Sequence, residues 1–181
     1  RPFRAPGFDP YQIDDVLVTR DGDREQLWIA TYGNGLWRLD ADGLVSWRES
    51  TGALDSDLLY TMATTRAPDG ESVLWVATRR GLARIKGDSV QNFSRQHGLP
   101  SDVMRNVQVW RSPDGIDVLW VATEAGVARA LANASQWHTA SLMGARGNGV
   151  FGLALEPDGA GGERLWVSAS MDGVGRYQQG R

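Results

Sequence analysis

The chain has 181 residues, 41% of them hydrophobic, a formal charge of -3 and no cysteine. Enough apolar material for a core argues against disorder, and the lack of a long basic block argues against nucleic acid as a partner. Disulfides and thiolate metal sites are excluded, no apolar run approaches the roughly 20 residues of a membrane-crossing helix, and the residues imply no cofactor.

In chain order, the opening RPFRAPGFDPY aligns with QNFSRQHGLPSD (91–102), Phe3 matching Phe93 and Gly7 matching Gly98, so residues 1–6 read as the tail of an outermost strand. Four units follow, at about 11–51, 57–97, 103–143 and 149–181, the last stopping short of a fourth strand. Each carries one phrase: LWIATYGNGLWRL from Leu27, LWVATRRGLARI from Leu74, LWVATEAGVARA from Leu119 and LWVSASMDGVGRY from Leu165. The tryptophans Trp28, Trp75, Trp120 and Trp166 are 47, 45 and 46 residues apart, and Gly7, Gly52, Gly98 and Gly144 keep the same beat. Repetition this regular means stacked equivalent units. Two closures are compatible with the ends: residues 1–6 complete the last unit in a four-unit ring, or the chain is a slice of a longer array. The slice is preferred, because six residues with two prolines make a weak latch.

Within a unit, short segments rich in Val, Leu, Thr and aromatics are separated by Gly, Pro and Asp clusters, which predicts four strands and no helical stripe. APDG, SPDG and EPDG supply Asp-Gly turns between first and second strands. LWVAT is apolar on both faces, Trp75 and Ala77 pointing one way and Leu74, Val76 and Thr78 the other, so both faces need cover. A four-stranded sheet held between two like sheets has that property. The predicted fold is all-β, a β-propeller of four-stranded antiparallel blades, each Trp wedged beside a small residue against the next blade.

The string DGxxLW[IV]AT, then GL[AW]R, then a stretch ending in Phe or Trp, then GLPSDVMRNV (98–107), resembles the two-component regulator propeller repeat, in four copies over nearly the whole chain. Departures are Ala in place of the usual Gly in WIAT and WVAT, degenerate turns in three units, and Ser168-Ala169 in the fourth. The resemblance implies a bacterial sensor: about seven blades per propeller, often two propellers in tandem, lying in the periplasm. It further implies a β-sandwich, a membrane helix and a histidine kinase or diguanylate cyclase output downstream.

A propeller binds ligands at the mouth of its channel, which the innermost strands reach. Positions identical in all units read as architecture; positions that vary against the template are free to serve a ligand. Entering the innermost strands, the varying pairs are Asp14-Asp15, Tyr60-Thr61, Arg105-Asn106 and Phe151-Gly152. Tyr60 and Phe151 are expected to stack on a flat ligand or sugar ring, with Asp14, Asp15, Arg105 and Asn106 bonding its polar groups. The recurring Arg38, Arg84, Arg129 and Arg176 read as structural rather than as an anion-binding ring, and Asp55, Asp57 and Asp102 as turn and capping residues rather than calcium ligands. His97 and His138 lie in different units, which disfavours a shared metal, and Trp37 stands where other units have Ala or Gly. Three functions remain open: a non-catalytic sensor of a small molecule, a saccharide being one option; a propeller-fold lyase using a metal and His97; and a protein interaction platform. Expected partners are an unidentified small molecule, adjoining blades or a second copy, and a membrane-anchored output region.

Overall fold

The computed structural model describes residues 8, 12–140, 149–169 and 173–177. The assignment of residues 1–6 to an outermost strand lies outside them. The first sheet is β1 (Ile13–Asp21), β2 (Arg24–Thr31), β3 (Leu36–Asp40) and β4 (Gly43–Trp47). The second is β5 (Leu59–Arg66), β6 (Ser72–Thr78), β7 (Gly81–Lys86) and β8 (Ser89–Phe93). The third is β9 (Met104–Arg111), β10 (Asp117–Thr123), β11 (Gly126–Leu131) and β12 (His138–Ala140). The fourth shows β13 (Val150–Pro157), β14 (Glu163–Ala169) and β15 (Gly173–Tyr177) among the described residues.

Each sheet is an antiparallel meander in sequence order. The first strands β1, β5, β9 and β13 are successive neighbours, which makes them the hub from which the sheets radiate as propeller blades.

The alternation in LWVAT divides into two separate cores. Trp75 and Ala77 join Met104, Val107, Leu119 and Val121 of the third sheet, while Leu74 and Val76 join Trp28, Ala30 and Leu36 of the first. Trp120 and Ala122 meet Val150, Leu165 and Val167 of the fourth in the same way. The indoles of Trp28, Trp75 and Trp120 therefore pack forward onto the next sheet. The repeated Thr ends this strand: the hydroxyls of Thr31, Thr78 and Thr123 donate to the carbonyls of Gly35, Gly81 and Gly126 at 2.7, 2.8 and 2.9 Å.

Gly81 has φ 121°, and a Cβ there would lie 2.5 Å from the Phe93 carbonyl oxygen, so no other residue fits this turn. Gly98, at φ 92°, ends a 3-10 turn over Arg95–His97. A Cβ on it would sit 2.4 Å from the Trp137 carbonyl oxygen. The loop aspartates cap these turns: Asp57 Oδ1 accepts the Glu49 N–H at 2.7 Å and Asp102 Oδ1 the Arg95 N–H at 2.8 Å.

Candidate functional site

Every first strand carries the same irregularity, directly after its first residue. Register slips between Ile13 and Asp15, between Leu59 and Met62, between Met104 and Asn106, and between Val150 and Gly152. At each slip two residues of the first strand face one of the second, a β-bulge: Asp14-Asp15 against Ala30, Tyr60-Thr61 against Ala77, Arg105-Asn106 against Ala122, Phe151-Gly152 against Ser168. A bulge breaks the in-out alternation and re-aims side chains. The four varying pairs read from the sequence are these four bulges.

The two positions of each bulge have different tasks. In the first two bulges the second position ties blades together: Asp15 Oδ2 accepts the Met62 N–H of β5 at 2.7 Å, and Thr61 Oγ1 accepts the Val107 N–H of β9 at 3.0 Å. Asp15 also accepts the Val16 N–H, at 2.9 Å, which leaves its carboxylate committed to backbone. Asn106 Oδ1 faces Gln108 Nε2 at 3.4 Å on its own strand.

The first position gathers at the hub. The Arg105 guanidinium carbon lies 5.1 Å from the Tyr60 ring centroid and 5.3 Å from that of Phe151, so one cation is held between two rings supplied by the neighbouring blades. Such contacts contribute from about 0.5 to about 2 kcal/mol each, more where water is excluded. Arg105 also forms an ion pair with Glu124. Tyr60 packs against Tyr32 as well, ring centroids 6.0 Å apart. Desolvation raises the Tyr60 hydroxyl above its ordinary value; Arg105 and Arg79 oppose the rise, while Tyr32 and Glu124 add to it. Asp14 occupies the corresponding bulge of the first blade, exposed, its carboxyl raised by partial desolvation and then by the charge of Asp15.

Of the six residues singled out in the sequence, the structure thus brings together Tyr60, Arg105 and Phe151. It turns Asp15 into a backbone tie between blades and leaves Asn106 against Gln108. Arg105 lies between the two rings expected to stack on a ligand, and the Phe151 side chain is 46% exposed. Sequence reasoning missed Tyr32, Arg79 and Glu124. All three follow the repeated Thr directly, in Thr31-Tyr32, Thr78-Arg79 and Thr123-Glu124, so comparing the units at the end of the second strand finds them.

The remaining candidates have local partners. His97 Nδ1 accepts the Ser94 N–H at 3.1 Å and its ring packs edge-on against Phe93, which ties the imidazole to its own turn. Trp37 is buried, donates from Nε1 to the Asn34 carbonyl at 2.8 Å, and lies between Phe8 and the Arg48 guanidinium. The repeated arginines lie across from the repeated indoles on paired strands, their guanidinium carbons 5.6, 5.7, 5.6 and 6.0 Å from the rings of Trp28, Trp75, Trp120 and Trp166.

No protein-family model matches the chain, and no curated protein does. Solved structures do. The extracellular domain of BT3049 from B. thetaiotaomicron, assigned to a hybrid two component system, superposes with a TM-score of 0.63 at 21% identity over 92% of this chain and 20% of that one. That of BT4673 from the same organism, assigned likewise, gives 0.61 at 15% over 90% and 23%. A protein from Bifidobacterium bifidum s17, assigned as an exo-beta-1,3-galactanase, gives 0.57 at 14% over 88% and 63%. The chain thus spans about a fifth of the sensor structures it resembles. These likenesses establish the propeller fold, and the sensor domains among them are of the kind that the sequence repeats resemble.

Proposed function

We propose that the chain is a non-catalytic ligand-sensing part of a bacterial receptor propeller, held on the periplasmic side of a membrane-anchored signalling protein, and that it binds a neutral saccharide at the hub. The observation that carries this reading is the convergence of Tyr60, Arg105 and Phe151 from three consecutive bulges. A bulge at the same place in every blade gives each blade one re-aimed side chain, and these are among the positions that differ from blade to blade. Architecture is conserved around a variable centre, as recognition requires.

The chemistry of the cluster favours a polyol over an ion. Arg105 is balanced by Glu124, so the pair offers hydrogen-bond donors and acceptors without a net charge to be matched. The exposed Phe151 ring supplies a flat apolar face for the C–H side of a sugar, and the raised Tyr60 hydroxyl remains protonated as a donor. Sensor domains among the structural neighbours support the signalling role. The engagement of His97 in its own turn argues against the lyase reading.

The test is a thermal-shift and calorimetric screen of neutral and acidic oligosaccharides against the chain and its Arg105→Met and Tyr60→Phe variants. Ligand binding to the folded state raises the melting temperature by mass action. A neutral saccharide is expected to bind the parent and to lose about tenfold or more in affinity with Arg105→Met. Tight binding that both variants leave unchanged places the site elsewhere.

A further inference from the structure

The repeated arginines are equivalent by position but not by partner. Arg38 forms an ion pair with Asp40 on its own strand at 2.9 Å, and Arg129 one with Glu163 of the next blade at 3.0 Å. Arg176 is close enough to Glu156 for its charge to help lower that carboxyl, after Arg164 and Trp166. Arg84 has no carboxylate among the described residues, and its Nε is buried without a hydrogen-bond partner. The residue standing where Glu163 serves Arg129 is Asp117, three positions before Trp120 as Glu163 is three before Trp166. Asp117 is one methylene shorter and is already held by Arg111 Nε and Nη2 at 2.7 and 2.9 Å and by the Arg66 N–H at 3.1 Å.

Arg84 lines an open cleft of about 490 Å³ between the second and third blades, at the end of β5 opposite to Tyr60. Val73, Ile116 and Leu131 also line it, as do Arg66, Arg111 and Asp117. Arg66 is spent on Asp21 and on the carbonyls of Gly70 and Arg20, so neither it nor Arg111 is an unsatisfied cation. Ile116 and Leu131 are among the exposed large hydrophobic side chains of the molecule.

We infer that this cleft is a second ligand site, built for a small monocarboxylate with an apolar body: the carboxylate takes the place on Arg84 that Glu163 takes on Arg129, and the body lies along Val73, Ile116 and Leu131. One guanidinium with no carboxylate partner among the described residues and a nearby Asp117 carboxylate favour a single negative charge over a phosphate dianion. The volume falls within the range of small-molecule pockets, roughly 300–1,000 Å³. The guanidinium carbon already lies over the Trp75 ring, 5.7 Å from its centroid, a cation–π contact made before the ligand arrives.

The experiment is a titration of the chain with hexanoate, followed through the arginine side-chain Nε–Hε resonances, with hexylamine and inorganic phosphate as comparison probes. The Arg84 signal is expected to move saturably with hexanoate and not with hexylamine, and to vanish in Arg84→Met. Leu131→Glu, on the exposed rim, sets a carboxylate of the chain's own at the cleft; it is expected to keep the fold and to weaken hexanoate by about tenfold or more. If Arg84→Met does not fold, this second variant decides. An Arg84 signal that hexanoate leaves in place, a phosphate effect equal to that of hexanoate, or undiminished hexanoate binding in Leu131→Glu overturns the inference.

Discussion

Trp75 and Trp166 are the same residue at the same place in two blades, yet Trp75 is 0% exposed and Trp166 is 38% exposed. The first blade repeats the contrast: Met62, opposite Val76, is 6% exposed, while Val16, opposite Ile29 in the matching register, is 56% exposed. Backbone pairing and local sequence are alike in each pair. What differs is whether, among the described residues, another sheet stands in front. Burial here is a property of the interface between blades, so stability is a sum of neighbour terms, as in repeat proteins generally. The largest predicted effect follows. Trp75→Ala or Trp120→Ala removes a wedge from a closed interface and is expected to cost about 3–5 kcal/mol. Trp166→Ala is expected to cost about 1 kcal/mol or less, as surface substitutions do. Urea unfolding followed by circular dichroism measures both, and equal losses would break the comparison.

The interfaces were legible in the sequence because they obey simple periodicities. LWVAT shows two apolar faces, and the structure assigns Trp75 and Leu74 to different cores as that alternation requires. The recurrent glycines are forced by backbone geometry, as at Gly81, and identity at a fixed spacing reveals such constraints. The hub was legible only in part. Comparing units located the bulged pairs, but a bulge is an event of pairing between strands, which the residues at the slip do not announce. Hence Asp15 looked like a ligand group when it is a tie to Met62. The contrast among the arginines was hidden for the opposite reason: Arg84 and Arg129 are identical in the repeat, and only their partners, on other strands, set them apart.

Ionic ties sharpen the same comparison at intermediate size. Asp117 lies inside the interface of the second and third blades. Burial alone would raise its carboxyl, but the hydrogen bonds from Arg111 and Arg66 and the charge of Arg111 outweigh that, and the net shift is downward. Glu156 is also lowered, by Arg164 and Trp166 of its own exposed sheet. A carboxyl lowered on folding contributes stability above its unfolded value, about 4, and loses that contribution as pH falls through the folded-state value beneath it. Asp117→Asn is therefore expected to cost about 1–2 kcal/mol at neutral pH, with the difference from the parent shrinking below pH about 4. Glu156→Gln should leave the acid limb of the stability curve almost unchanged, because it and its partners are partly solvent-exposed and cross no interface. Melting temperatures from neutral pH down to the acid transition measure both; a matching acid dependence in the two variants would mean that the interface gives its ion pairs no special weight.

The smallest effect on stability is expected at the hub. Phe151 is a large apolar side chain, but it sits at a bulge, and its ring touches the Arg105 guanidinium where Trp75 touches a closed core. Removing it opens no cavity, since one side of the ring already meets solvent, and the Asp15 and Thr61 ties that hold the first strands together do not involve it. Phe151→Ala is expected to melt within the range of ordinary surface variants, about 0.5 kcal/mol from the parent. It nevertheless removes one wall of the Arg105 clamp, and saccharide affinity should fall while the fold persists. A loss comparable to that of Trp75→Ala would mean that the bulged residues hold the propeller together; a parent-like melting curve with lost binding assigns wedges to the interfaces and recognition to the centre.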